Sequence, residues 1–171
     1  LRDHQRCAIK AWKENGFKGI LDHATGSGKT FTALKIIESL RMSRKQLFVI
    51  VGLPFRPLAD QWRDEIDSFF SPLREEQDFK FTNSIGCYSS GDRDWELKFS
   101  KEINSFKSSI LNKEGHLSVL VVVNDTLSSS SFQEILQNSQ IDEKRFLVVG
   151  DECHRYALSL IHISEPTRRA I

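Results

Sequence analysis

The sequence predicts an α/β domain, a mainly parallel sheet with helices on both faces, and three observations predict it. Residues 47–51, 119–123 and 146–149 are short, continuous apolar runs rich in branched side chains, the pattern of strands buried on both faces. Between them lie stretches whose apolar residues recur every three or four positions, as on one face of a helix. Strands that alternate with helices at this spacing join in parallel through crossovers, which cover both faces of the sheet.

Taken in order, Asp3 is expected to N-cap a first helix that runs to Trp12 and stops at Asn15-Gly16, a common C-terminal signal. Residues 19–22 read as a short strand, followed by a glycine-containing loop and a helix over 29–42. The strand at 47–51 leads to Pro57, expected at the first helical position, where its missing N–H costs nothing. Leu58, Trp62, Ile66, Phe69 and Phe70 then mark one buried helix face. Residues 81–88 suggest another strand, and Trp95, Phe99, Ile103, Phe106 and Ile110 a long amphipathic helix ending before Gly115. After the strand at 119–123, Ser131-x-x-Glu134 forms a capping box for a short helix carrying Phe132, Ile135 and Leu136. The strand at 146–149 is the last.

The 171 residues, 39% of them hydrophobic, suit one domain with a real core. A net charge of +1 excludes a globally basic nucleic-acid binder and an acidic disordered tail, while leaving room for a local contact to phosphates. Cys7, Cys87 and Cys153 are far apart and form no C-x-x-C pair, which argues against a disulfide framework or a zinc site and for buried or inert thiols. His4, His23, His116 and His162 show no metal-ligand spacing. Trp12 and Trp62 sit in helical stripes and read as core. The longest apolar run, 119–123, is too short to cross a membrane and the first residues are no signal peptide, so a cytoplasmic protein with no membrane partner is expected.

Two segments carry chemistry. Ala24-Thr25-Gly26-Ser27-Gly28-Lys29-Thr30 follows a strand and opens a helix, the context of a phosphate loop, although His23 stands where the strict pattern has glycine. Gly26 and Gly28 let backbone N–H groups curve around phosphate oxygens without a Cβ in the way. The N–H groups at Thr25 and Ser27 belong to the same cradle, and the helix N-terminus adds partial positive charge. Lys29 then reaches the terminal phosphates and the Thr30 hydroxyl meets Mg²⁺. At the other end, the strand 146–149 runs through Gly150 into Asp151-Glu152-Cys153-His154. Ligands bind beyond the carboxyl ends of strands in an open parallel sheet, which suits Asp151 to hold the metal and Glu152 to orient or deprotonate an attacking water. A nucleoside triphosphate and Mg²⁺ are the expected cofactors.

The loop ATGSGKT followed by DECH resembles the superfamily 2 helicases and translocases, the broad DEAD/DEAH-box group, and within it the restriction-enzyme motor subunits and related DNA-repair helicases. The resemblance covers residues 1–157 and implies the first RecA-like domain of a P-loop ATPase, which makes the nucleotide ATP. It implies that Gln5, with Leu1-Arg2 before it, contacts adenine. Val51-Gly52-Leu53-Pro54, with Leu58 and Gln61-Trp62 behind it, is similar to the segment that touches the nucleic-acid backbone. Pro54 and Arg56 would then lie on the track. Thr126, after Asn124-Asp125 where the group often has Thr-Tyr, would contact a phosphate, and His154 would couple the ATP site to the track. The implied partners are nucleic acid, DNA before RNA, and a second RecA-like domain in the same parent chain. A GTPase-like or kinase-like P-loop enzyme and an ATP-gated binding module are the alternative readings. Residues 158–168, LSLIHISEPTR, resemble a translated sequencing adapter. Residues 158–171 are therefore expected to be a non-native tail that interrupts the chain before the Ser/Thr-Ala-Thr motif.

Overall fold

In the computed structural model, residues 2–16 and 28–151 are described. The strand expected at 19–22, the loop residues Thr25, Gly26 and Ser27, the residues Glu152, Cys153 and His154, and the tail at 158–171 lie outside them. The elements are α1 (Asp3–Glu14), α2 (Lys29–Ser43), β1 (Gln46–Leu53), α3 (Arg56–Phe69), β2 (Phe79–Lys80), β3 (Ile85–Cys87), α4 (Trp95–Leu111), β4 (Gly115–Val123), α5 (Asn124–Leu127), α6 (Ser130–Asn138) and β5 (Phe146–Gly150), with single 3₁₀ turns at Ser71–Glu75 and Glu143–Arg145. All the strand pairs are parallel, in the order β2-β4-β1-β5, and β3 lies beside β4 on the same side as β2. Among the described residues no helix is long and apolar enough to cross a membrane.

The alternation of side chains along each strand divides the core in two. Leu47, Val49 and Val51 of β1, Val119 and Val121 of β4, and Leu147 and Val149 of β5 face one way, against Ile36, Ile37 and Leu40 of α2 and Ala59, Trp62 and Ile66 of α3. Phe48, Ile50, Leu120, Val122, Phe146 and Val148 face the other, against Phe99, Ile103 and Phe106 of α4 and Phe132 of α6. Phe48 centres that second layer, its ring 5.2 Å from Phe106 and 5.3 Å from Phe146. Helices thus cover both faces, as the continuous apolar runs require.

Several boundaries differ from expectation for local reasons. Arg2, not Asp3, caps α1, because the Gln5 side chain accepts the Arg2 backbone N–H at 2.9 Å and closes the first turn there. Asp3 becomes the first helical residue, where a carboxylate complements the helix dipole. Pro57 is the second residue of α3, not the first. The cap of α6 is Ser129, whose Oγ accepts the Phe132 N–H at 3.2 Å. Ser131 therefore lies inside the helix. Of the strand expected at 81–88 only β3 forms, and β2 pairs with β4 just ahead of it, because side chains claim backbone groups between the two. Arg74 Nε donates to the Thr82 carbonyl at 2.7 Å, and Asp67 Oδ1 accepts the Ser84 N–H at 2.6 Å.

Candidate nucleotide and nucleic-acid site

The register of the sheet builds the candidate site. Leu53 pairs with Val123 and Gly52 with Gly150, so β1, β4 and β5 end on one rim. Pro54, Asn124 and Asp151 are the residues that follow. Arg56 opens α3 and Thr126 lies in α5, one step beyond the same rim. Four residues singled out from sequence, Pro54, Arg56, Thr126 and Asp151, are thereby gathered at the carboxyl end of a parallel sheet, where such sheets bind ligands.

Asp151 is half-buried and held from two sides. Its N–H donates to the Gly52 carbonyl at 3.3 Å, and its Oδ2 accepts the indole N–H of Trp62 at 3.1 Å. Trp62 is 3% exposed and read from sequence as core alone. Its polar edge was the overlooked signal, since a buried indole N–H needs an acceptor. The bond joins the helix that begins at Arg56 to the strand end that carries the metal-suited carboxylate.

At the phosphate loop the described portion begins with Gly28, the N-cap of α2, at φ +84°. A side chain would be strained at that φ, and a Cβ would stand 2.8 Å from Gln5 Nε2. The Gly28 carbonyl accepts three bonds, from the Thr32 N–H at 2.9 Å, the Thr32 hydroxyl at 3.0 Å and Gln5 Nε2 at 3.4 Å. Gln5 thus ties α1 to the start of α2. Its amide keeps one N–H and one carbonyl lone pair beyond the bonds to Arg2 and Gly28, enough to meet the edge of a base. Lys29 and Thr30 are half-buried in the first turn, where helix N–H groups have no intrahelical acceptor and the dipole favours an anion. That donor set fits a phosphate group, and the Thr30 hydroxyl and Asp151 carboxylate are oxygen ligands of the kind Mg²⁺ takes.

The remaining residues divide by exposure. Thr126 is buried, and its hydroxyl accepts the Ser89 N–H at 2.7 Å and donates to Ser89 Oγ at 2.9 Å. It anchors the loop after β3 to α5, and its exposed neighbour is Asp125. Arg56 is exposed, with its guanidinium 4.9 Å from the Tyr88 ring centre. Trp12 and Trp95 are buried, as core residues. Cys87 is buried and its thiol is pushed up to about 12, by burial first and by the nearby Asp92 charge second. Cys7, by contrast, is exposed on α1, because the face it occupies points away from Gln5 and Trp12. Among the described residues no cluster of His, Cys, Asp or Glu could by itself hold a metal ion.

A family model described as type III restriction enzyme, res subunit, matches residues 1–168. The chain belongs to the type III restriction enzyme res-subunit family. The superfamily 2 resemblance read from ATGSGKT and DECH is therefore correct. Within this res-subunit chain, 69 residues are 35% identical to the DNA 3'-5' translocase XPB2 of Sulfurisphaera tokodaii, covering 40% of the chain and 14% of that relative. A solved nuclease-deletion mutant of the Type ISP restriction-modification enzyme LlaGI, in complex with a DNA substrate mimic, superposes with a TM-score of 0.67 and 23% identity. That match covers 99% of the chain and 16% of LlaGI. The likeness is one of fold, a RecA-like α/β domain. The res-subunit chain spans about one seventh of the length of these two proteins.

Proposed function

We propose that the chain is the ATP-binding half of an ATP-dependent nucleic-acid motor, a helicase or translocase that moves on DNA, double-stranded DNA before single-stranded. The observation that carries this reading is the rim. A carboxylate suited to a metal, Asp151, is hydrogen-bonded by Trp62 to the helix that begins with Arg56, so one element serves both the nucleotide and the track. Membership of the res-subunit family and the DNA translocase named above support the choice of DNA.

In this reading Lys29 and the N-terminus of α2 bind the phosphates and neutralise charge that develops on the transferred phosphoryl group. Gln5 meets the adenine edge, and Thr25, Gly26, Ser27 and Gly28 supply backbone N–H groups to the phosphates. Thr30 and Asp151 would hold Mg²⁺, which would supply positive charge against the phosphates. Glu152 orients a water molecule in line with the γ-phosphorus and takes its proton. The new bond joins water oxygen to phosphorus as the bond to the ADP oxygen breaks. His154 relays the state of the nucleotide toward Pro54 and Arg56, while the buried Thr126 holds the loop after β3 in place instead of meeting a phosphate itself. A second RecA-like domain in the parent chain completes the motor.

The test is ATP turnover by the parent protein with and without duplex DNA. Wild type is expected to be stimulated by DNA, Lys29→Ala to lose nucleotide binding, and Glu152→Gln to turn over roughly 10²- to 10⁴-fold more slowly while still binding ATP. Equal turnover by wild type and Glu152→Gln would refute the role given to Glu152. Preference for GTP over ATP would refute the role of Gln5.

A further inference from the structure

Between α3 and α4 the outer edge of the sheet forms the floor of a cleft of about 600 Å³, which contains Ile85 and Gly86 of β3. Its walls carry five cations, Arg56, Arg63, Lys80, Lys98 and Lys101, against two carboxylates, Asp92 and Glu102. The cleft therefore holds a local excess of positive charge in a chain whose net charge is only +1. Both carboxylates are already committed. Asp92 accepts from Lys98 at 2.9 Å and from the Asp94 N–H at 3.1 Å. Glu102 turns inward, accepting from the Ser118 hydroxyl and meeting His116 Nε2 at 3.2 Å. Glu102 also feels the charge of Lys80 and Asp92 that of Arg56, but five cations outnumber two carboxylates.

Those cations are spread along the cleft. Arg56 lies over Tyr88 at the carboxyl end of β3. Arg63 donates to the Ser84 carbonyl at 3.2 Å, and Lys80 reaches the Ser105 hydroxyl near the other end. Lys101 is exposed and has no carboxylate partner among the described residues. Two polar atoms in the wall, Arg63 Nε and Ser84 Oγ, are buried without a hydrogen-bond partner. Buried polar atoms are nearly always satisfied in folded proteins, so this wall is one where a further acceptor would be favourable. A line of cations backed by hydroxyl donors matches a chain of regularly spaced phosphates better than it matches a single small anion.

We infer that this cleft binds the sugar–phosphate backbone of a nucleic acid, extending the track from Arg56 along the outer edge of the sheet through Arg63, Lys80 and Lys101. The inference rests on the nucleic-acid reading above and adds a second segment of contact to it. The contacts are to phosphates, so they add affinity and position without sequence preference.

The experiment measures anisotropy of a short labelled DNA duplex against the chain over a range of salt concentrations. It compares wild type, Arg56→Ala, the double variant Lys80→Ala/Lys101→Ala, and the double variant Lys10→Ala/Lys107→Ala, which removes the same charge outside the cleft. The two substituted lysines of the cleft, Lys80 and Lys101, are exposed, and circular dichroism confirms that each variant is folded. The cleft variant is expected to bind about tenfold more weakly at low salt, with a log–log salt slope shallower by about 2, since each duplex phosphate contact contributes roughly 0.9. The Lys10/Lys107 variant is expected to keep the wild-type slope.

Unchanged binding and slope in the cleft variant, with binding lost in Arg56→Ala, overturns the cleft and leaves the motor reading intact. No duplex binding by wild type overturns both together. Equal losses in the two double variants mean a general charge effect and overturn the site. Binding of inorganic phosphate or of polyglutamate that depends on Lys80 and Lys101, with duplex binding unaffected, assigns the cleft to a free anion or to an acidic protein segment, and overturns it too.

Discussion

The indole N–H of Trp62 donates to Oδ2 of Asp151 at 3.1 Å and joins the middle of α3 to the carboxyl end of β5. The bond occupies one carboxylate oxygen and fixes the direction of the other. Trp62→Phe keeps most of the buried ring and removes the donor. A hydrogen bond to a charged group contributes about 1.5–3 kcal/mol, and because Asp151 is only half-buried the loss should fall near the lower end. A urea unfolding curve reads that loss. In the parent protein the same variant should need more Mg²⁺ for half-maximal ATP turnover. An unchanged Mg²⁺ dependence would show that Trp62 serves packing alone.

Most of the scaffold was legible because strands buried on both faces cannot hide. Residues 47–51, 119–123 and 146–149 are uninterrupted apolar runs, and each became part of a strand of the parallel sheet. The start of β4 is hidden in the sequence because His116 and Ser118 interrupt its apolar run, and only the packing of α4 shows that Glu102 receives both. The gap between β2 and β3 is equally hidden. There the ladder is broken by Arg74 and Asp67, side chains several residues away in sequence that capture backbone groups near Thr82 and Ser84. At the candidate site, residue types and spacing pointed to Gly28, Lys29 and Asp151. They did not reveal Trp62, because a stripe of apolar residues says which face of a helix is buried and not where one N–H points.

The cluster beneath α4 makes stability depend on acid. Burial alone would raise the Glu102 carboxyl above its ordinary 4.5, but hydrogen bonds from His116 and Ser118 and the charges of His116 and Lys80 outweigh it, so it is held below that value. A carboxylate depressed in the folded state contributes stability that is complete above its unfolded value and is lost as pH falls through the folded one. Thermal melting followed downward from pH 6 should therefore show wild type losing stability below about 4.5. Glu102→Gln should be less stable at neutral pH and flatter through that window. Parallel curves for the two proteins would remove Glu102 as the source.

The two described cysteines should differ sharply toward thiol reagents. Cys87 is buried in β3 with its thiol pushed up to about 12, whereas Cys7 is exposed on α1. The thiolate is the reactive form, so at pH 8 Cys87 has almost none of it and no solvent access. In a Cys153→Ser chain, titration with a chromogenic disulfide should find one reactive thiol in the native state and two in denaturant. Loss of the native signal in Cys7→Ser assigns it. Two native thiols would mean that the edge of the sheet at β3 opens readily.

Gln5 gives the most direct test of whether α1 belongs to the nucleotide site. Its carbonyl accepts the Arg2 N–H at 2.9 Å and its amino group meets the Gly28 carbonyl at 3.4 Å, so the side chain braces the residue that precedes Lys29. Gln5→Ala removes both bonds and the groups left over for a base edge. The bond to Gly28 is long and weak, and Arg2 is exposed to water, so the cost to stability should be small, about 1 kcal/mol. The effect on nucleotide should be larger and selective. A site that hydrogen-bonds a base discriminates strongly against one that presents the wrong edge, so wild type should prefer ATP to GTP. Gln5→Ala should bind ATP more weakly while its hold on GTP barely changes. Fluorescent-nucleotide titrations of the parent protein measure both. Equal weakening for the two nucleotides would mean that Gln5 acts only through Gly28, and that adenine is read elsewhere.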